Sequence, residues 1–255
     1  MFIILNKDKI LAYVVSVLTV ITLFGVANLM MNTEVIETST SITTKLPIYN
    51  VQTEEKKIAF TMNCAWNADD IDSILETLKN NDVHITFFMV GNWVDKYPEA
   101  VKKIYEAGHE IGSHSNTHPH VNNLSFEKNL EEIKLSVSKI EKITGQKTNL
   151  YRAPYGEYND TVIQTAQENG YYTIQWNLDT LDYEGLTGEE MWNRLENKLI
   201  KGSIILSHNG TKHTADSLDM LIKNIKSQGF EITTVSDLIY KENYIINNNG
   251  IQIKN

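Results

Sequence analysis

From Lys57 onward the chain alternates short apolar runs with amphipathic stretches. Seven runs have the length and the β-branched and aromatic content of strands: KIAFTMN (57–63), HITFFMVG (84–91), HEIGSHS (109–115), NLYRAP (149–154), YTIQWNL (172–178), GSIILSHN (202–209) and FEITTVS (230–236). Between them the apolar positions step at helical spacing. Ile71, Ile74, Leu75 and Leu78 share one face, as do Phe126, Leu130, Ile133, Val137 and Ile140, with Gly145 stopping the second helix. Thr187 and Glu190 have the spacing of a capping box for a helix through Trp192. Strands alternating with helices predict an α/β fold with a parallel sheet, and seven such units predict a distorted (β/α) barrel of about seven parallel strands.

The N-terminal part breaks this rhythm. Ile10–Met31 is a run of 22 residues without a charge, long enough as a helix to cross a membrane. Lys7 and Lys9 precede it and Glu34 and Glu37 follow it, which keeps the N-terminus cytoplasmic and exports the rest. Small residues at Gly25–Ala27 leave a cleaved signal peptide, and hence a secreted protein, as the alternative. The chain thus divides into a cytoplasmic tip and single transmembrane anchor (1–31), a Thr/Ser/Glu-rich extracytoplasmic stalk (32–56), a globular domain (57–241) and a polar tail (242–255). A short edge strand is expected near Ile48–Val51, and the Asn-rich end YIINNNGIQIKN is expected to be loose.

Composition narrows the function. The net charge is −9 with no dense Lys/Arg block, which excludes a nucleic-acid binder, since that needs a basic stripe against phosphates. Cys64 is the only cysteine, so no intrachain disulfide forms.

The chemically distinctive residues sit where predicted strands end: Asn63, His114, Arg152, Asp179 with Asp182, and His208. In a parallel barrel these points share one rim, where active sites are built. His114 and His118 lie four apart; Pro119 disfavours helix there, so a turn is expected that makes them either a metal pair or merely hydrogen-bonded turn histidines. His109 and His120 are expected to be structural or on the surface. Arg152, in LYRAPYG, can hold a carboxylate or a substrate oxygen, or form a plain salt bridge. His208 near an aspartate suits a proton donor, and is otherwise a satisfied core histidine.

Taken in order, HSNTHPH, RAPYG, DTLDY and LSH resemble the NodB-homology domain of polysaccharide deacetylases, carbohydrate esterase family 4, over about Lys57 to Tyr240. CAW, DKYPEAV, AGHEIGSHSNTHPH and YYTIQW resemble its membrane-anchored sporulation branch. The resemblance implies a hydrolase that removes N-acetyl groups from GlcNAc or MurNAc units of cell-wall polysaccharide, using a divalent metal, most often zinc. It implies His114 and His118 as metal ligands and Arg152 and Tyr155 as the groove motif, with the Tyr155 amide facing the oxyanion. Asp182 tunes the general acid His208, and Tyr155, Tyr183 and Leu206 face the sugar; Tyr183 stands where a tryptophan is common. In such a site the metal lowers the pKa of water toward about 7 and polarises the acetyl oxygen.

The chain departs from the family's Thr-Phe-Asp-Asp-Gly motif, reading TMNCA instead. Asn63 holds the position of the base and Cys64 that of the metal carboxylate. An amide cannot take a proton near neutrality. Cys64, Asp69 or Asp70 is then the candidate third ligand, and Asp69, Asp70 or Asp179 the candidate substitute base. The alternative is a catalytically impaired homologue that binds cell-wall glycan as a scaffold.

Overall fold

The computed structural model describes residues 15–22 and 45–255. Residues 15–22 are helical (α1) and belong to an N-terminal unit, Met1–Ile42; the second unit is Thr43–Asn255. The rest of the predicted span Ile10–Met31 lies outside the described residues, among which no helix is long and apolar enough to cross a membrane.

The second unit is organised on β2 (Lys57–Cys64), the longest strand of its sheet. Side chains alternate across a strand, so Phe60, Met62 and Cys64 enter the large apolar core while Thr61 and Asn63 turn to the opposite face. β2 pairs in parallel with β3 (Thr86–Met89) on one side and β8 (Ile204–His208) on the other. Beyond β3 follow β4 (Glu110–Ser113), β5 (Leu150–Tyr151) and β6 (Tyr172–Thr173); beyond β8 comes β7 (Leu178–Asp179). β9 (Glu231–Thr233) pairs with the start of β2, and every pairing in this eight-stranded sheet is parallel. The predicted α/β fold, a distorted barrel of parallel strands, is present as a curled half-barrel whose edge strands β6 and β7 do not pair with each other.

Helices cover the sheet where the apolar spacing places them. α2 (Ile71–Asn80) buries Ile71, Ile74 and Leu78, each contributing about 1.5–3 kcal/mol of transfer free energy. α3 (Gly91–Lys96) and α4 (Pro98–Glu106) follow β3. α5 (Phe126–Thr144) starts on the Ser125 hydroxyl and stops at Gly145, whose φ of 69° is left-handed. α6 (Asp160–Glu168) follows β5, and α7 (Gly188–Leu195) carries the Thr187–Glu190 capping box. α8 (Thr214–Ser227) and the short α9 (Val235–Leu238) complete the set.

Three expectations are corrected. YTIQWNL is not one strand: β6 and β7 lie at opposite edges of the sheet, and residues 174–177 cross between them. Ile48 seals this crossing, bonding Thr173 O through its N–H and accepting from Gln175 N–H, each at 2.8–2.9 Å. The stalk therefore ends earlier than residue 56, because Ile48 and Val51 are fully buried and β1 (Asn50–Val51) is built into the domain. The C-terminal segment is also not loose. β10 (Tyr244–Ile246) and β11 (Ile251–Lys254) form a hairpin whose second strand runs parallel to β1. The Asn247 side chain accepts from Asn249 and Ile251 N–H in the turn, and buried Gln252 bonds both backbone groups of Tyr240.

The seal gives a stability prediction. Gly202 has φ 79°, and a Cβ there would lie 1.7 Å from the Val51 carbonyl oxygen, whereas Gly170, at φ 80°, has nothing within 4 Å. Gly170→Ala should therefore cost only the left-handed backbone, about 1–2 kcal/mol, and Gly202→Ala at least about 3 kcal/mol by adding overpacking. Urea unfolding midpoints at constant m distinguish them; equal losses would mean that the β1 segment is not pressed against Gly202.

Candidate active site

The ends of β2, β4, β5, β7 and β8 bring Asn63, His114, Arg152, Asp182 and His208 to one side of the sheet. There a cleft of about 500 Å³ is lined by Asn63, His114, His118, Tyr155, Leu206 and His208, with Trp66, Trp176 and Tyr183 among the aromatic residues. The two predicted metal histidines and the predicted acid thus face the same space.

One wall is a buried web around Arg152, which is 0% exposed. Its guanidinium donates to Thr61 Oγ1 at 2.8 Å, Asn63 Oδ1 at 3.0 Å, and the carbonyls of Ile174 and Gln175 at 3.3 and 3.2 Å. It lies 4.1 Å from the centre of the Phe88 ring. Burial pushes its pKa down to about 9, against a smaller opposing effect of Asp179, so it is cationic at neutral pH. The hydrogen-bond acceptors are all neutral oxygens: among the described residues Arg152 forms no salt bridge, and its buried side chain is not part of the cleft lining. It is a positioning residue. His114 joins the web by donating from Nδ1 to the Arg152 carbonyl at 2.8 Å, while its Nε2 meets Asn63 Nδ2 at 3.3 Å. Burial holds the His114 pKa well below the usual histidine value despite that carbonyl.

The opposite wall carries the predicted acid. His208 Nδ1 lies 2.8 Å from Asp182 Oδ1; Asp182 Oδ2 accepts from the His208 N–H at 2.6 Å and the Thr214 hydroxyl at 2.7 Å. Asp182 is fully buried. The His208 ring stands between Trp66 and Tyr183, with ring centres 5.3 and 5.2 Å away. This fixes the tautomer and leaves Nε2 for the cleft.

Strained turns carry the remaining groups. Ser115, His118, Tyr155 and Leu181 have φ between 54° and 68°, an uncommon conformation for residues with side chains. Glu132 of α5 holds the histidine turn: its carboxylate accepts from the Ser115 and Thr117 hydroxyls and the Asn116 and Thr117 N–H groups, all within 2.6–2.9 Å. His118 lies 4.9 Å from His114 and 4.5 Å from Tyr155 between ring centres. His120, expected to be structural or on the surface, stacks on Tyr155 at 4.4 Å and bonds Glu157 at 2.6 Å. Sequence reasoning missed Glu132, Trp66 and Trp176 as parts of the site. Exposed Trp66, two residues past β2, carried a signal; Glu132 carried none.

The candidate third ligands and bases do not converge on this centre. Cys64 is fully buried in the apolar core, because in an extended strand it must face away from Asn63, and burial raises its thiol pKa well above the usual value. Asp69 is exposed and outside the cleft lining. Asp70 accepts from Asn209 Nδ2 at 3.1 Å and Gly210 N–H at 2.7 Å. Asp179 accepts from Leu181 N–H at 2.8 Å and the Tyr183 hydroxyl at 3.4 Å. Among the described residues no carboxylate lines the cleft.

The parallel sheet thus carries an aromatic cleft at its strand ends, with two histidines on one wall and an Asp–His pair on the other. The polysaccharide deacetylase family profile matches residues 50–174. The chain is 33% identical to the peptidoglycan-N-acetylmuramic acid deacetylase PdaC of Bacillus subtilis, covering 74% of this chain and 40% of PdaC. It is 34% identical to the uncharacterized protein YlxY of the same species, covering 76% of this chain and 60% of YlxY, so it spans well under the full length of both. Among solved structures it is similar to BA3943 of Bacillus anthracis, a CE4 family pseudoenzyme, with a TM-score of 0.73 and 33% identity over 75% of this chain and 68% of that one. A BA3943 mutant with restored enzymatic activity also gives 0.73 and 33%, over 75% of this chain and 70% of that one. This chain belongs to the polysaccharide deacetylase family.

Deacetylases of the family are metal-dependent in general, and the donor set here does not fit that requirement. His114 and His118 stand together, but no carboxylate or exposed thiol joins them, and Asn63 turns its NH₂ toward the His114 nitrogen. Among the described residues no group of three or more His, Cys, Asp or Glu side chains is arranged to hold a metal ion.

Glu132 supplies a pH test. Burial raises its pKa, but the hydrogen bonds from Ser115, Thr117 and Asn116 outweigh this and hold it below the ordinary 4.5. A depressed carboxyl pKa stabilises the fold above the unfolded value, and that stabilisation is lost as pH falls through the folded value. Glu132→Gln should therefore lose about 1–2 kcal/mol at pH 7, with the gap to wild type closing below pH 4.5 in denaturant titrations. A gap independent of pH would remove the charge from this account.

Proposed function

We propose that this chain acts on N-acetylated cell-wall glycan of the GlcNAc/MurNAc type at this cleft, as a hydrolase of the N-deacetylase class whose turnover is lowered by Asn63 and Cys64. The His208–Asp182 pair carries the reading. A buried carboxylate behind a histidine that opens into an aromatic cleft suits protonation of a departing sugar amine, and binding alone does not require it. The other residues support the same substrate class. Trp66, Tyr155 and Tyr183 are 46–59% exposed around the cleft and offer ring faces to pyranose units, above a floor that includes Leu206. Hydrolysis adds water to the acetyl carbon, breaks the amide C–N bond, and releases acetate and a free amine. Asn63 cannot take the proton from that water, and a placed base contributes on the order of 10²–10⁴-fold.

A second reading, a glycan-binding scaffold without turnover, is favoured by the cleft lining, which holds no carboxylate. That BA3943 is a pseudoenzyme whose mutant has restored activity is consistent with either reading. The uncharged leader Ile10–Met31 supports a place outside the cytoplasm, held at the membrane. CAW and YYTIQW, through their branch resemblance, support a role in sporulation.

Acetate release from N-acetylated chito-oligomers and peptidoglycan separates the two. Slow release by wild type, raised about 100-fold by Asn63→Asp and removed from that variant by His208→Ala, is the expected pattern. No acetate from any of the three, with glycan still retained, would establish the scaffold; loss of glycan binding would end both readings.

A further inference from the structure

We infer that Asn63 is a stopper for metal ions: its side-chain amide occupies the nitrogen of His114 that a cation would need. Asn63 thus does more than lack a base's proton affinity. The hydrogen positions follow from chemistry. A guanidinium only donates, so the oxygen of Asn63 faces Arg152 Nη1 at 3.0 Å and its NH₂ faces His114 Nε2 at 3.3 Å. The Arg152 carbonyl only accepts, so His114 Nδ1, 2.8 Å away, carries the imidazole proton and Nε2 is bare. Arg152 therefore sets both ends of the contact, the amide through its side chain and the tautomer through its main chain.

A metal ligand must offer that bare lone pair. With aspartate at position 63, an oxygen and a nitrogen lone pair would face one another, and a proton or a cation would have to sit between them. Asparagine fills the gap with its own hydrogen. Rotating the amide out of the way would strip an acceptor from a cation that is 0% exposed, so the stopper is held in place. Asn63 and His114 are only 4% and 3% exposed, so water does not readily substitute for either partner. The second independent obstacle is Cys64, which sits in the core.

The test reads zinc affinity of the full chain against a chromophoric chelator, without sugar, so its failure leaves the glycan reading standing. Wild type should bind weakly. Asn63→Ala, which removes the stopper and adds no charge, should bind about tenfold tighter. Asn63→Asp should bind tighter still, on the order of 100-fold, and adding His114→Ala should abolish either gain. Zinc binding by Asn63→Ala no tighter than wild type overturns the inference, even where Asn63→Asp improves, since charge alone would then be responsible. Because Asn63→Ala can destabilise the fold around Arg152, the wild-type protein gives a separate readout. In ¹⁵N-histidine spectra, His114 should show a protonated Nδ1 and a hydrogen-bonded Nε2, both unmoved by equimolar zinc. A protonated Nε2, or a zinc-induced shift there, overturns the inference as well.

Discussion

A fully buried guanidinium that forms no salt bridge among the described residues organises this domain. Moving a cation out of water is expensive, and it survives only where enough oxygens replace the solvent. Arg152 finds them on Thr61 and Asn63 of β2 and on the carbonyls of Ile174 and Gln175 in the crossing between the two edges of the sheet. One residue thus joins the central strand and the crossing through its side chain and His114 through its backbone carbonyl. The Ile48 backbone braces the same crossing from outside. Fold closure and site geometry rest on one hydrogen-bonded cluster.

That dependence explains why an amide at position 63 is compatible with the fold. A neutral Oδ1 satisfies Arg152 nearly as well in geometry as a carboxylate would, so the strand, the crossing and the cleft stay in place. What changes is the local charge: Asn63 offers Arg152 a neutral oxygen where an aspartate would offer a carboxylate. The aromatic groove is untouched, since Trp66, Tyr155 and Tyr183 take no part in the Arg152 cluster.

The sheet and the rim were largely legible because they follow from period and phase. Six of the seven apolar runs each hold one strand, the exception being YTIQWNL, and His114, Arg152, Asp182 and His208 were placed at strand ends by counting residues from each run. Legibility stopped where a side chain's direction depends on distant partners. Nothing local says that Cys64 faces the core, although strand alternation from Asn63 allows it to be deduced once β2 is known to continue through residue 64. Arg152 looked like a surface or substrate contact because burial of an unpaired cation requires four acceptors from two distant segments. Glu132 and the turn it holds are 15–17 residues apart, joined only when α5 packs beside β4. The hairpin at 244–254 was hidden by its asparagines, which read as disorder until Gln252 and β1 provide partners.

The two walls of the cleft depend on different kinds of support, and this decides what a substitution can remove. The acid wall is self-contained. Asp182 after β7, His208 at the end of β8 and Thr214 at the start of α8 satisfy one another, and none of those bonds involves Asn63 or Arg152. The histidine wall is not, because the state of His114 Nε2 is set by residue 63 and the orientation of residue 63 is set by Arg152. An amide for a carboxylate therefore alters the histidine wall and leaves the other fully assembled. An intact Asp182–His208 pair and an intact aromatic groove beside a His114 capped by an amide are the expected product of that asymmetry, without any loss of fold.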